Sequence, residues 1–231
     1  MKTIGLIGGM SWESTAYYYH HLNTGVKEAL GGYHSAKVAL FSVEFSEIHH
    51  LQHSGDWDGT AAILVDAARK VEAAGADFLL ICTNTMHKVA LQVQAAVDIP
   101  LLHLADATAQ VLVDDGIQKV ALLGTGFTMA QDFYKGRLRD NFGLDVRVPN
   151  EADQKIVHDI IYNELCLGEV KDASRQEYLR IIDQLVADGA EAVILGCTEI
   201  CMLIEQQHTS AKLFDTTAIH ADAAVRKALE E

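Results

Sequence analysis

Runs of almost unbroken apolar residues recur along the chain at 2–7, 38–43, 78–81, 119–123 and 192–195. Short runs of this kind, bounded by glycine or polar residues, are the pattern of strands buried on both faces, as in a parallel sheet. Between them, apolar positions fall at helical spacing. Leu64, Ala67, Val71 and Ala74 follow Asp56-Trp57-Asp58, and further helices are predicted at about 86–97, 129–141, 151–166, 172–187 and 217–229. Ser11 is placed to cap a helix that carries Tyr17, Tyr18 and Tyr19. Pro100 ends one helix and opens a short strand at Leu101-Leu102, and 212–214 reads as a last strand. Strands alternating with helices predict an α/β fold with parallel sheets.

Two of these strands lead into turns that echo each other. Gly75-Ala76-Asp77 precedes one and Gly189-Ala190-Glu191 the other. At a constant offset Gly75 pairs with Gly189, Asp77 with Glu191, and Thr83 with Cys197. Earlier in each series, 119–123 followed by Gly124-Thr125-Gly126 resembles 3–7 followed by Gly8-Gly9-Met10. Matched features in the same order predict two pseudo-symmetric parallel-sheet α/β lobes from an internal duplication. No Pro/Gly/Ser-rich linker separates them, so the lobes are expected to pack together. A pseudo-twofold relating them would set Thr83 and Cys197 on either side of a cleft.

The chain has 231 residues, 49% hydrophobic and 22% charged, enough to bury a core. Its net charge of −14 argues against nucleic acid and anionic membrane surfaces as partners, but not against a small anion held by local donors. No apolar run reaches membrane-spanning length. Met1-Lys2-Thr3-Ile4-Gly5 leads directly into a strand without a signal-peptide pattern. Cys82, Cys166, Cys197 and Cys201 form neither a disulfide framework nor a metal-type spacing, so a reduced, cytoplasmic setting is expected.

In parallel α/β sheets ligands bind beyond the carboxyl ends of the strands, where Thr83 and Cys197 both fall. Backbone N–H groups of Asn84-Thr85 and Thr198-Glu199 at helix starts would suit a carboxylate, and the same position would favour a thiolate at Cys197. For Cys82, Cys166 and Cys201 packing is the expectation. Gly8-Gly9-Met10-Ser11 lacks the residues of a nucleotide loop and reads as a tight turn for a smaller anion. His49, His50 and His53 have no carboxylate or Cys at matching spacing, so an exposed loop or helix face is expected there rather than a metal. Gln52, among them, is a candidate neutral donor. Asp114-Asp115 reads as a solvated helix end.

The Gly-Leu-Ile-Gly-Gly-Met-Ser start, Asn84-Thr85-Met86-His87 and Gly196-Cys197-Thr198-Glu199 resemble the aspartate/glutamate racemase superfamily, and most of all its bacterial amino-acid racemases. The resemblance covers essentially the whole chain. It implies a racemase without cofactor or metal, acting on a small amino acid, with the site between two lobes and a homodimer as the usual assembly. The lobes would be 1–98 with a returning segment 215–231, and 99–214. In the superfamily one cysteine per lobe flanks the substrate α-carbon; the first motif is Cys-Asn-Thr, so its cysteine corresponds to Thr83 here. Cys82, one position earlier, would face the core. The resemblance therefore implies Cys197 as the base for L-aspartate and L-glutamate, with the weaker acid Thr83 as proton relay on the opposite face. Met10, Asn84, Thr85 and Thr198 would supply N–H donors to the carboxylates, and Gln52 and Thr125 would orient the substrate. Glu199 would contact the ammonium, tune Cys197 or cap a helix. A racemase of wider range, an arylmalonate-type decarboxylase with one cysteine and a non-catalytic amino-acid binder remain alternatives.

Overall fold

The structure, a computed structural model, describes residues 1–230. Two compact units divide the chain, Met1–Leu104 joined by the stretch from His220 onward, and Ala105–Ile219. The first holds strands β1 (Ile4–Gly8), β2 (Val38–Ser42) and β3 (Phe78–Ile81), all parallel in the order β2-β1-β3. The second holds β4 (Lys119–Gly124), β5 (Asp145–Arg147), β6 (Ala192–Gly196) and β7 (Lys212–Asp215), parallel in the order β5-β4-β6-β7. The first strand of each unit thus lies between the second and third, as a duplication requires.

The echo in sequence is an echo in structure. Gly75 and Gly189 end their helices at φ +87 and +97, a region that disfavours side chains. Two residues on, an acid ties the start of its strand to the neighbouring one. Asp77 Oδ2 accepts from Thr3 N at 2.5 Å while Asp77 N donates to Thr3 O at 2.9 Å. Glu191 Oε2 accepts from Gln118 N and Lys119 N at 2.8 and 2.7 Å while Glu191 N donates to Lys119 O at 2.8 Å.

Helices cover both faces of the first sheet. In the first unit, α1 (Trp12–Leu30) and α11 (Thr216–Leu229) pack Tyr18, Leu22, Val26, Ala221 and Ala224 on Ile4, Leu6, Phe78, Leu80 and Cys82. The alternate residues Ile7, Leu79 and Ile81 meet the opposite layer of α2 (Phe45–Ser54), α3 (Trp57–Ala73) and α4 (Ala90–Gln94). This alternation is the strand period of two, and it assigns Cys82 to the core beneath α1 and α11. In the second unit, one core joins Ala121, Leu123, Val193 and Leu195 to α8 (Glu151–Asn163) and α9 (Asp172–Ala187). The others are α5 (Leu104–Asp114), α6 (Gly126–Ala130), α7 (Asp132–Phe142) and α10 (Ile200–Leu203).

Several expected elements differ. The helix expected at 86–97 is a 3-10 turn, Thr85–Val89, followed by α4. That expected at 129–141 breaks at Gln131, whose extended backbone (φ −93, ψ 153) starts α7 afresh. Helix α8 stops at Asn163, and a 3-10 turn, Leu165–Leu167, carries Cys166. The segment after Pro100 forms a single bridge, Leu79 with Leu101, before α5 begins. Among the described residues no helix is long and apolar enough to cross a membrane.

Candidate active site

In the first unit, the carboxyl ends of β1 and β3 set two turns side by side. Gly9 follows β1 at φ +92, and a Cβ there would lie 2.2 Å from Val43 O, so only glycine fits. Its N–H donates to Thr15 Oγ1 at 2.8 Å, which in turn donates to Ser11 O at 2.9 Å. Ser11 caps α1 through Ser14 N, and the Met10–Ser11 peptide is cis. Ser14 Oγ then donates to Cys82 O at 3.1 Å, tying the turn of buried Met10 to that of Thr83.

Cys82 is wholly buried, and burial pushes its thiol well above the ordinary value. Thr83 follows as a partly exposed residue, with Asn84 and Thr85 buried beside it. Its carbonyl accepts from His87 Nδ1 at 2.8 Å, while His87 Nε2 accepts the Leu104 N–H at 3.2 Å. These bonds fix the imidazole tautomer and fasten the turn to Leu104. Gln52 reaches the same turn from α2, buried, its amide donating to Met86 Sδ at 3.0 Å. His49 and His53 lie on an exposed face of α2 with rings 4.0 Å apart. Among the described residues no group of three or more His, Cys, Asp or Glu could hold a metal ion.

In the second unit, β4 and β6 approach closely enough that a Cβ on Gly124 would meet Gly196 O at 2.9 Å. The turns beyond them are therefore neighbours. Thr125 is the buried N-cap of α6, its Oγ1 accepting from Thr128 N at 3.3 Å. Thr198, also buried, accepts from Thr217 Oγ1 at 3.1 Å. Glu199 makes no side-chain cap bond to α10; its Oε2 instead takes the Cys197 Sγ–H at 2.9 Å.

This pair corrects the expectation of a ready-made thiolate. The helix after Cys197 has only four residues, and that after Thr83 is a 3-10 turn, so neither supplies the dipole of a long helix. Burial of the sulfur, then the Glu199 carboxylate, hold the Cys197 pKa well above its ordinary value. Cys197 rests as a thiol, hydrogen-bonded to a carboxylate.

Two residues beside the strand ends of the second sheet escaped the sequence reading. His158 and Tyr162 lie one helical turn apart on α8, rings 4.8 Å apart, and Cys166 follows in the next turn. Gly126 N donates to His158 Nδ1 at 3.0 Å. The Tyr162 hydroxyl has its pKa raised by burial, then by Cys197, Cys166 and Glu199, which places it among those groups. The i, i+4, i+8 spacing was present in the sequence, but only the strand-end geometry shows what it borders.

The family described as Asp/Glu/hydantoin racemase matches residues 7–224. A Yersinia pestis protein named for the Asp/Glu racemases has a crystal structure 52% identical to this chain, with a TM-score of 0.93 over 100% of both chains. The crystal structure of PH1733, an aspartate racemase homologue from Pyrococcus horikoshii OT3, is 37% identical, with a TM-score of 0.86 over 100% of both. The broad-specificity amino-acid racemase RacX of Bacillus subtilis is 24% identical over 174 residues, 74% of this chain and 73% of that protein. With a family match across both units and two parallel sheets of the corresponding fold, the chain belongs to the Asp/Glu/hydantoin racemase family and is an enzyme of the amino-acid racemase class.

Proposed function

We propose that this protein interconverts the enantiomers of small amino acids, L-aspartate and L-glutamate foremost, with Cys197 as the base on the L face and Thr83 as proton relay on the other. The observation that carries the reading is the Cys197 Sγ–H bond to Glu199 Oε2. A thiol with a raised pKa removes no α-proton by itself, but a carboxylate at hydrogen-bond distance takes its proton as substrate binds. The thiolate then accepts the α-proton and is again a thiol. The Thr83 hydroxyl delivers a proton to the opposite face of the carbanion; water re-protonates the Thr83 oxygen, and the hydroxide left takes the proton held by Glu199, which returns every group to its resting state.

Racemisation needs the negative charge spread into the α-carboxylate to be held in place. The reading gives that role to N–H groups around Met10, Asn84, Thr85 and Thr198. Gln52 and Thr125 orient the substrate, Thr125 by shaping the turn it caps. All steps use protein groups, with no pyridoxal phosphate. The proposal extends to a homodimer working in the cytoplasm, the oligomer being open to light scattering.

The test is chiral analysis of L-Asp, L-Glu and neutral amino acids incubated with purified protein and with Cys197→Ala. D-enantiomer formed by the wild type and abolished in the variant is the expected result. Release of carbon dioxide from an arylmalonate without racemisation would replace the proposal by decarboxylation, and thermal stabilisation without turnover would replace it by binding alone.

A further inference from the structure

We propose that His87 is a positioning residue for proton delivery: by holding the Thr83 carbonyl it aims the Thr83 hydroxyl, and so sets how often the carbanion is protonated on the face opposite Cys197. The inference rests on the racemase reading, in which Thr83 is the relay, and adds the residue that makes a threonine serviceable there.

It starts from a difference between the two halves of the duplication. The offset that pairs Thr83 with Cys197 also pairs Asn84 with Thr198 and His87 with Cys201. One bond is common to both turns: His87 N donates to Asn84 O at 3.1 Å, and Cys201 N to Thr198 O at 3.3 Å. The carbonyl of the site residue is held differently. Cys197 O accepts a main-chain donor, Ile200 N, at 3.1 Å. Thr83 O accepts from the imidazole, His87 Nδ1, at 2.8 Å. A side chain does in the first unit what the main chain does in the second.

The imidazole is itself held. A carbonyl oxygen only accepts, so the ring proton is on Nδ1, and Nε2 takes the Leu104 N–H at 3.2 Å. The ring is buried beside His103, with 4.5 Å between centroids. On the other side of Thr83, Ser14 Oγ donates to Cys82 O at 3.1 Å and Cys82 N to Ile7 O at 2.9 Å. Both peptide planes flanking Thr83 are therefore fixed. The two side-chain bonds end on main-chain oxygens, so neither uses the Thr83 hydroxyl.

The consequence follows from the residue type. Threonine is branched at Cβ and stiff at χ1, so a fixed backbone leaves its hydroxyl few directions. A hydroxyl is a much weaker acid than a thiol, and it delivers a proton only from a close, aligned position. Cys197 is held by the bonds of its own turn, so a change at His87 falls on one face of the carbanion.

The experiment incubates L-aspartate with purified protein in deuterium oxide and reads two rates from the same sample: D-aspartate formed, and deuterium gained by the remaining L-aspartate. Their ratio, inversion over exchange with retention, does not depend on the amount of folded enzyme. His87→Leu is expected to lower the ratio about tenfold or more. The amide nitrogen of Asn is bonded to Cγ, as Nδ1 is, so His87→Asn keeps a donor for Thr83 O and should recover most of the ratio. Gln carries its amide one atom further out, at the reach of Nε2, so His87→Gln should not recover it. An unchanged ratio in His87→Leu, or loss of both reactions together, would overturn the inference, since His87 would then only hold the fold. Equal recovery by Asn and Gln would overturn it too. Thr83→Val separates the underlying reading: a ratio unchanged there would bring down Thr83 as the relay, and neither reaction in the wild type would bring down racemisation itself.

Discussion

Cys197 Sγ donates its hydrogen to Glu199 Oε2 at 2.9 Å, two residues further along the same turn. The carboxylate stabilises the thiol at rest, and in the proposed mechanism it is the group that removes its proton. Resting acidity and reactivity therefore move in opposite directions here, which makes the pair testable.

Glu199→Gln removes the charge and keeps the shape. Without the carboxylate the Cys197 pKa falls, because Glu199 is one of the groups that raise it. The pH profile of thiol alkylation should shift to lower pH, while kcat/KM for racemisation falls by roughly 10²-fold, the usual effect of losing a general base. A variant with more thiolate and more activity would show that Glu199 is not the base.

Cys82 and Thr83 are adjacent, and the proposed mechanism uses Thr83. Cys82 lies in the core under α1 and α11, so Cys82→Ala should cost about 1–2 kcal/mol of stability and leave turnover nearly unchanged. On the proposed mechanism Thr83→Cys puts a thiol at the relay position and should raise turnover of the D enantiomer. Denaturant unfolding and chiral assays on both variants check this. Loss of activity in Cys82→Ala at full folding would reverse the assignment.

His220 gives the first unit a built-in acid sensitivity. Tyr18 O–H donates to its Nδ1 at 2.8 Å, and its Nε2–H donates to Leu102 O at 2.9 Å. Burial, then the nearby His87, lower its pKa to about 3. The unfolded chain, with a pKa near 6.5, binds this proton first as pH falls. The contribution is therefore whole above about pH 6.5 and is lost progressively down to about pH 3. Between pH 7 and 5 the loss amounts to about 2 kcal/mol. His220→Gln should lower stability at pH 7 but flatten its decline to pH 5, as read from denaturant midpoints. An unchanged slope would assign the acid sensitivity elsewhere.

Much of this was legible in the chain. The strands of both sheet centres are apolar runs that leave little alternative, and Gly75 with Gly189 and Asp77 with Glu191 announced the duplication before any coordinates. Other features depend on geometry that spacing does not carry. Strand β5 has only three residues and takes its identity from pairing with β4. Helix α5 was legible only at its end, Asp114-Asp115, because buried Thr108 and half-buried Asp106, which pairs with Arg137 at 2.5 Å, interrupt its apolar face. The protonation of Cys197 was misread because a helix start was assumed where only a four-residue turn exists, and burial, then the side chain of Glu199, raises the thiol's pKa. That His158 borders the strand-end turns follows only from its bond to Gly126 and from Gly124 pairing with Gly196.

The most direct test of the two-base account is solvent deuterium incorporation at the α-carbon, starting separately from the L and D enantiomers of aspartate. On that account, which sets Cys197 on one face of the substrate and the Thr83 hydroxyl on the other, exchange is expected to be fast from L-aspartate and slow from D-aspartate, and Thr83→Cys should narrow the gap. Equally fast exchange from both enantiomers in the wild-type protein would contradict the assignment of Thr83 as the weaker partner.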